Sequence, residues 1–320
     1  MLFPRSRFLA AGAAAAALAP RIARAQSLTP VTIGMTTTDD ASALLIGVQT
    51  GIFRRAGLDI NVQKAPSGSA TAEALAGGTY TFGSVSAITM VTAFGLGVPL
   101  LSVAPGGLYN STTDFVVSVV KKDSPIQTAR DLNGSTIGSA ALQDLNTVSM
   151  MAWIDQHGGD SKTIRVIEVP YPALIAAVDE GRIAMATMIQ PILSSALASG
   201  KVRMFAKTYD AIAPRFYITT WMTRSSYAND NADVCRRFAS AIREANAYAN
   251  AHRPETTALL APFSGMQLDT ILHGGRDTFA TAAIDAADIQ PVVDAAVKYK
   301  ILPSRFDAKE MIAPAVRGQR

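Results

Sequence analysis

From residue 31 onward, apolar runs and amphipathic stretches alternate with short polar turns. Val31-Thr32-Ile33-Gly34-Met35 is a β-branched run, residues 36–40 form a turn rich in hydroxyls and acids, and 41–50 carry apolar positions at helical spacing. Gly51 is placed to end that helix in the left-handed conformation. Gly57 turns the chain again, and Leu58-Asp59-Ile60-Asn61-Val62 alternates like a half-buried strand. The cycle continues with helices at 70–76 and 87–94 and strands at 80–85 and 100–104. Such strand–helix alternation predicts a mainly parallel, doubly wound sheet.

A second series follows the apolar run Phe115-Val116-Val117-Ser118-Val119-Val120, with strands expected at 135–138, 164–169 and 184–189 and helices at 147–157 and 172–180. The pattern changes again near residue 215: 216–221 is β-rich, and 233–300 is mostly helical. The expectation is an α/β chain of two doubly wound lobes joined by two crossing strands, 115–120 and 216–221. Lobe one spans 26–113, lobe two spans 114–214, and 215–320 returns to lobe one with a helical C-terminal part. Residues 75–83 and 178–186 echo one another as helix, glycine, buried strand. The largest cleft falls between the lobes.

Residues 1–25 read as a secretory signal: Arg5 and Arg7 precede an apolar run, and Ala23-Arg24-Ala25 has the small-x-small pattern of a cleavage site before Gln26. The run is about half the roughly 20 residues of a membrane-spanning helix. Arg5-Ser6-Arg7-Phe8-Leu9 resembles a twin-arginine signal with a serine between the arginines, which leaves Sec and Tat export open. Arg5, Arg7, Arg21 and Arg24 account for the whole formal charge of +4. The chain without its leader is formally neutral, and no basic run exceeds two residues, so the footprint of a nucleic-acid binder is missing. The single cysteine, Cys235, excludes an intrachain disulfide and sits in a helical pattern as a small buried hydrophobe. His157, His252 and His273 are far apart and match no metal motif, and neither a G-x-S-x-G elbow nor a Walker loop occurs. Gly274-Gly275 reads as a turn. These features argue against an enzyme and against any cofactor or metal.

In a doubly wound sheet, ligands bind beyond the carboxyl ends of the strands, where loops lead into helix N-termini. The loops concerned are 36–41, 66–70, 84–87 and 106–113 on lobe one and 139–147 and 190–191 on lobe two. Their candidate ligand contacts are Thr37, Thr38, Asp39, Asp40, Ser67, Ser69, Ser84, Ser86, Tyr109, Asn110, Asp144, Asn146, Thr147 and Gln190. Tyr171 and Trp221, like Tyr109, are candidates to stack on a planar ligand. The serines serve equally well as helix N-caps. Asp39 and Asp40 would repel a sulfonate and favour an amine or aminopyrimidine.

The stretch from Leu45 through Gly51, Phe53, Gly57, Leu58, Asp59 and Ile60 resembles the ALA-x-x-x-G-x-F-x-x-x-G-L-D-V pattern of the sulfonate, nitrate, taurine and thiamine-pyrimidine precursor receptors. Ser67-Gly68-Ser69, Gly95-Leu96-Gly97-Val98-Pro99 and Asp131-Leu132-Asn133-Gly134-Ser135-Thr136-Ile137-Gly138 extend the resemblance along nearly the whole chain. Thr81 and Ala184 depart from it, standing where the family often has aspartate. The resemblance implies a type II periplasmic binding protein, free and monomeric in the periplasm, which closes on a small-molecule ligand and delivers it to the membrane permease of an ABC transporter. A small organic anion such as an aliphatic sulfonate ranks first among ligands and a pyrimidine-type thiamine precursor second. A ligand-sensing subunit for a membrane signalling protein is the alternative role.

Overall fold

The computed structural model describes residues 27–318 other than Pro191, His273 and Gly274. The leader, its cleavage site, His273 and the first residue of the expected Gly274-Gly275 turn lie outside the described residues. Twelve strands are present among the described residues. They are β1 (Thr29–Met35), β2 (Leu58–Lys64), β3 (Phe82–Ser86), β4 (Leu100–Pro105), β5 (Leu108–Asn110), β6 (Val116–Lys121), β7 (Thr136–Ser139), β8 (Arg165–Glu168), β9 (Ala186–Ile189), β10 (Val202–Ala206), β11 (Arg215–Tyr217) and β12 (Thr219–Arg224).

Two five-stranded sheets result. The first has the order β2-β1-β3-β12-β4, and the second, taken from its β8 edge, runs β8-β7-β9-β6-β10. The first three strands of each are parallel. The fourth is antiparallel to both its neighbours. The two lobes therefore share one strand order, each completed by a strand that arrives from the other part of the chain. The echoing segments occupy equivalent places: Gly78 (φ 87°) leads into β3 and Gly181 (φ 72°) into β9, positive angles that favour glycine.

The crossings are more finely divided than the apolar runs suggest. Residues 216–221 are split at Ile218, whose amide donates to the Gly107 carbonyl and whose carbonyl accepts from Ala87. The part before Ile218, β11, forms a small antiparallel ladder with β5. The part after it, β12, enters the middle of the first sheet. Residues 115–120 likewise lead into the interior of the second sheet as β6. Both connections thus run through the β5–β11 ladder between the lobes.

One large core lies in lobe one and continues across the junction to Val116, Leu145, Val148 and Tyr209. Two smaller cores cover the second sheet, one around Leu174, Met188 and Leu193, the other around Leu132, Ile137 and Ile154. The C-terminal helices pack on lobe one. Phe238, on helix Ala232–Ala251, is fully buried and stacks on Phe82 at 4.0 Å between ring centroids, with Phe53 and Trp221 close by. Cys235 is buried on the same helix, and burial pushes its thiol up to about 11, which suits a packing role. Because Phe238 joins the C-terminal helix to the first sheet, Phe238→Ala is expected to destabilise the protein by about 3–5 kcal/mol. Urea unfolding checks this, and a loss below about 1 kcal/mol would show that the aromatic stack is not central to lobe one.

Candidate ligand-binding site

The carboxyl ends of the three parallel strands of each sheet face a common cleft. Residues 36–40 follow β1, 65–68 follow β2, and Ser84 and Ser86 end β3; from lobe two come 140–146 after β7, Tyr171 after β8 and Ile189 at the end of β9. Together with Tyr209, Ile218 and Thr219 they enclose a cavity of about 470 Å³. This is the position at which doubly wound sheets bind ligands, and the size suits a small molecule.

Three helices begin at the cavity wall, each started by a side chain from the sequence candidates. Ser67 is extended, and its Oγ accepts from the Ala70 amide at 3.1 Å to start helix Gly68–Ala76. Ser86 accepts from Thr89 at 3.3 Å to start Ala87–Gly95. Asp144 accepts from Thr147 at 2.8 Å to start Leu145–Gln156, and Ser139 donates to the same carboxylate at 2.7 and 2.8 Å. Each cap satisfies one of the amides that a helix start leaves without an intrahelical partner.

The charge of the lining is one-sided. Asp40 contributes a carboxylate from lobe one and Asp144 another from lobe two, and none of the described lining residues is lysine, arginine or histidine. Thr219 donates to the Asp40 carbonyl at 3.0 Å, tying the turn to β12. Asp40 Oδ1 is buried with no hydrogen-bond partner, and desolvation raises its carboxyl to about 6, with a further push from Asp39 against the pull of Thr38. Burial also raises Asp144, opposed by its bonds from Thr147 and Ser139. Around Asp144, Asn146 donates to Tyr171 Oη at 3.1 Å and accepts from Tyr209 at 2.8 Å. Burial and the nearby Asp144 push the Tyr171 phenol up to about 12, so it stays a neutral donor. Ser84, buried in the wall, leaves its Oγ without a partner.

Of the sequence candidates, Thr37, Thr38, Asp40, Ser67, Ser84, Ser86, Asp144, Asn146 and Tyr171 are brought together at the cavity. The others lie elsewhere. Asp39 is buried in an ion pair with Arg276, its Oδ1 2.5 Å from Nη2 and its Oδ2 2.8 Å from Nε. Ser69 bonds to Ser67 and borders a neighbouring groove, lined mainly by lobe one. Tyr109 is buried at the junction and donates to Asp210, Asn110 holds its own turn through Thr112, and Trp221 is core. Thr147 donates back to the Ala141 carbonyl. Gln190 accepts from Ser194 at 2.7 Å and packs where a Cβ on Gly275 would be.

Lining residues outside the candidate set include Thr36, Ala65, Pro66, Ala140, Ala141, Leu145, Tyr209, Ile218 and Thr219. Thr36, Pro66, Ala140 and Ala141 stand in loops already singled out by position. Tyr209 carries no local signal: it sits on a short 3-10 turn (Thr208–Ala211) and reaches the cleft only through lobe-two packing. Among the described residues, no group of three or more His, Cys, Asp or Glu is arranged to hold a metal ion, and no helix is long and apolar enough to cross a membrane.

Solved structures share this architecture. The periplasmic aliphatic sulphonate binding protein SsuA of Escherichia coli superposes with a TM-score of 0.74 at 22% identity, over 91% of this chain and 94% of that one. The alkanesulfonate-binding SsuA of Xanthomonas axonopodis pv. citri, bound to MOPS, gives 0.70 at 17% over 88% and 97%. The periplasmic nitrate-binding protein NrtA of Synechocystis PCC 6803 gives 0.71 at 16% over 88% and 84%. At these identities the likeness shows the fold, that of the periplasmic binding proteins. Among curated protein sequences none matches this chain. The family profile described as NMT1/THI5 like matches residues 39–256, from the turn after β1 to the start of helix Arg253–Ser264, and the chain belongs to that family.

Proposed function

We propose that this protein is the periplasmic solute receptor of an ABC import system and that its ligand is a small amino-substituted heteroaromatic ring, of the class of pyrimidine thiamine precursors. The observation that carries the ligand class is the pair of carboxylates, Asp40 and Asp144, one from each lobe, in a cleft whose described lining holds no cationic side chain. An amino group and a protonated ring nitrogen satisfy a carboxylate by charge-assisted hydrogen bonds. Tyr171, Ser84 and Asn146 supply neutral polar contacts, and Leu145, Ile189 and Ile218 give the apolar walls a ring requires. Contacts from both lobes make binding favour the closed arrangement, which is the form a permease reads. Binding of this kind needs no chemical step.

A small organic anion such as an aliphatic sulfonate is the second reading, supported by the three helix N-termini at the wall. Magnitudes decide between them. A sulfonate 4 Å from an ionised carboxylate is repelled by roughly 4 kcal/mol at an effective dielectric constant of 20. Each helix N-terminus returns only about 0.3–1 kcal/mol. Carboxylates on both sides therefore outweigh the helix ends while Asp40 is ionised.

Asp40→Asn is expected to weaken binding of 4-aminopyrimidine about tenfold or more in calorimetric titration while sparing or tightening binding of ethanesulfonate. Equal loss for both, or loss for the sulfonate alone, contradicts the ligand assignment. The same substitution has a second signature in the ligand-free protein. The Asp40 carboxyl titrates near 6 when folded against 3.8 as its ordinary value. The folded state thus holds the proton more tightly, and stability falls as pH rises between those two values. Asp40→Asn removes that fall, so at pH 7.5 it is expected to stabilise the empty protein by up to about 3 kcal/mol, with little difference below pH 4. Urea unfolding at both pH values checks this, and a variant less stable than the parent at pH 7.5 speaks against a raised Asp40 carboxyl.

A further inference from the structure

A third carboxyl stands behind Asp40. Asp277 comes from the segment between helices Leu268–Leu272 and Gln290–Lys298, is 2% exposed, and holds its Oδ1 on the Thr278 amide at 2.8 Å. Its Oδ2 is buried and has no partner, like Asp40 Oδ1. Both side chains lie against the same bare backbone: a Cβ on Gly107 would stand 2.0 Å from Asp277 Oδ2 and 2.8 Å from Asp40 Cβ. Glycine at 107 is therefore what lets the two acids share this space.

Two ionised carboxylates are acceptors only and leave both oxygens unsatisfied. A single proton on Asp277 removes the conflict, since the acid then has a donor to offer the neighbouring carboxylate. The surrounding charges permit this state. Asp39 is already neutralised by Arg276, so that arginine is not free for Asp277. Burial, then Asp40 and Asp39, drive the Asp277 carboxyl well above the ordinary range, against a smaller pull from the Thr278 amide and Arg253. On the cavity side Asp40 shares the wall with the neutral phenols Tyr171 and Tyr209 and with Asp144.

The geometry points to Asp277 as a positioning residue of the ligand site: as a neutral carboxylic acid it donates from Oδ2 to Asp40 Oδ1, which leaves Asp40 Oδ2 for the ligand. This inference rests on Asp40 as the ligand contact. Recognition then depends on a proton-bridged pair joined across 237 residues of sequence, and not on Asp40 alone. It also explains why an acid with no access to the cavity is kept at this depth.

Carbon-13 NMR of the full ligand-free chain, labelled at the aspartate carboxyl carbons, reads the pair directly. Asp277 is expected to remain in the protonated form at pH 7 and to shift in step as Asp40 titrates. Asp277→Ala, which removes the donor, is expected to move the Asp40 midpoint upward and to weaken 4-aminopyrimidine binding about tenfold at pH 7. Asp277→Asn, which keeps a donor of the same shape, is expected to restore both to within about threefold of the parent. An ionised Asp277 at pH 7, or an Asp277→Ala variant with an unmoved Asp40 midpoint, overturns the inference. If the parent chain binds no aminopyrimidine, the ligand class is wrong, and the NMR titration of the empty protein still decides whether the pair exists.

Discussion

Asp39 and Asp40 are adjacent on one 3-10 turn (Asp39–Ala41), and their opposite fates organise the cleft. Asp39 turns inward to a bidentate bond with Arg276 and also accepts from Ser42 and from the Asp277 amide, all within 2.8 Å. That buried pair satisfies its own charge, and breaking either side would strand the other. Asp40 has no cation among the described residues lining the cavity, and its inferred partner is the protonated Asp277. The Asp40 carbonyl is tied to Thr219, so the carboxylate stays at the wall. A buried carboxylate without a cation is expensive, and the nitrogen donors of the proposed ligand would offset that cost from outside the chain.

The rest of the fold supports this placement. The turn follows β1, which pairs in parallel with β2 and β3. Thr219 opens β12, the strand that returns from lobe two and lies antiparallel between β3 and β4. The second lobe presents Asp144 in the corresponding place after β7, its carboxylate held by Ser139 and by a helix N-terminus. Two sheets of one strand order, meeting across the β5–β11 ladder, thus set one acid against the other.

Much of this was legible in the residues. Period-two runs and helix starts locate most strands of the two sheets, because local alternation reports burial directly, while β5, β10 and the helix Ile192–Ala198 stand outside the expected elements. The rule that ligands sit after parallel strands selected the loops holding eight of the nine candidates found at the cavity, all but Tyr171. What stayed hidden depends on partners distant in sequence. Nothing local separates Asp39 from Asp40, since the difference is Arg276, which lies beyond the long C-terminal helices. Tyr109 and Trp221 have the composition of stacking residues, yet both are consumed by aromatic packing with Tyr209, Phe216 and Phe238. The antiparallel place of β12 inside the first sheet is equally non-local, for an apolar run carries no record of its neighbours. Tyr209 reaches the site because its hydroxyl meets Asn146, a contact no spacing encodes.

The central claim is that the cleft recognises a nitrogen-donor ligand through Asp40. A crystal structure of the protein grown with 4-aminopyrimidine tests it most directly. The account predicts the ring between the lobes, with its amino group and a ring nitrogen within hydrogen-bond distance of Asp40 and a further contact to lobe two near Asp144. A cleft that instead holds an anion against the helix N-termini of residues 68 and 87, with Asp40 making no contact to it, would contradict the account.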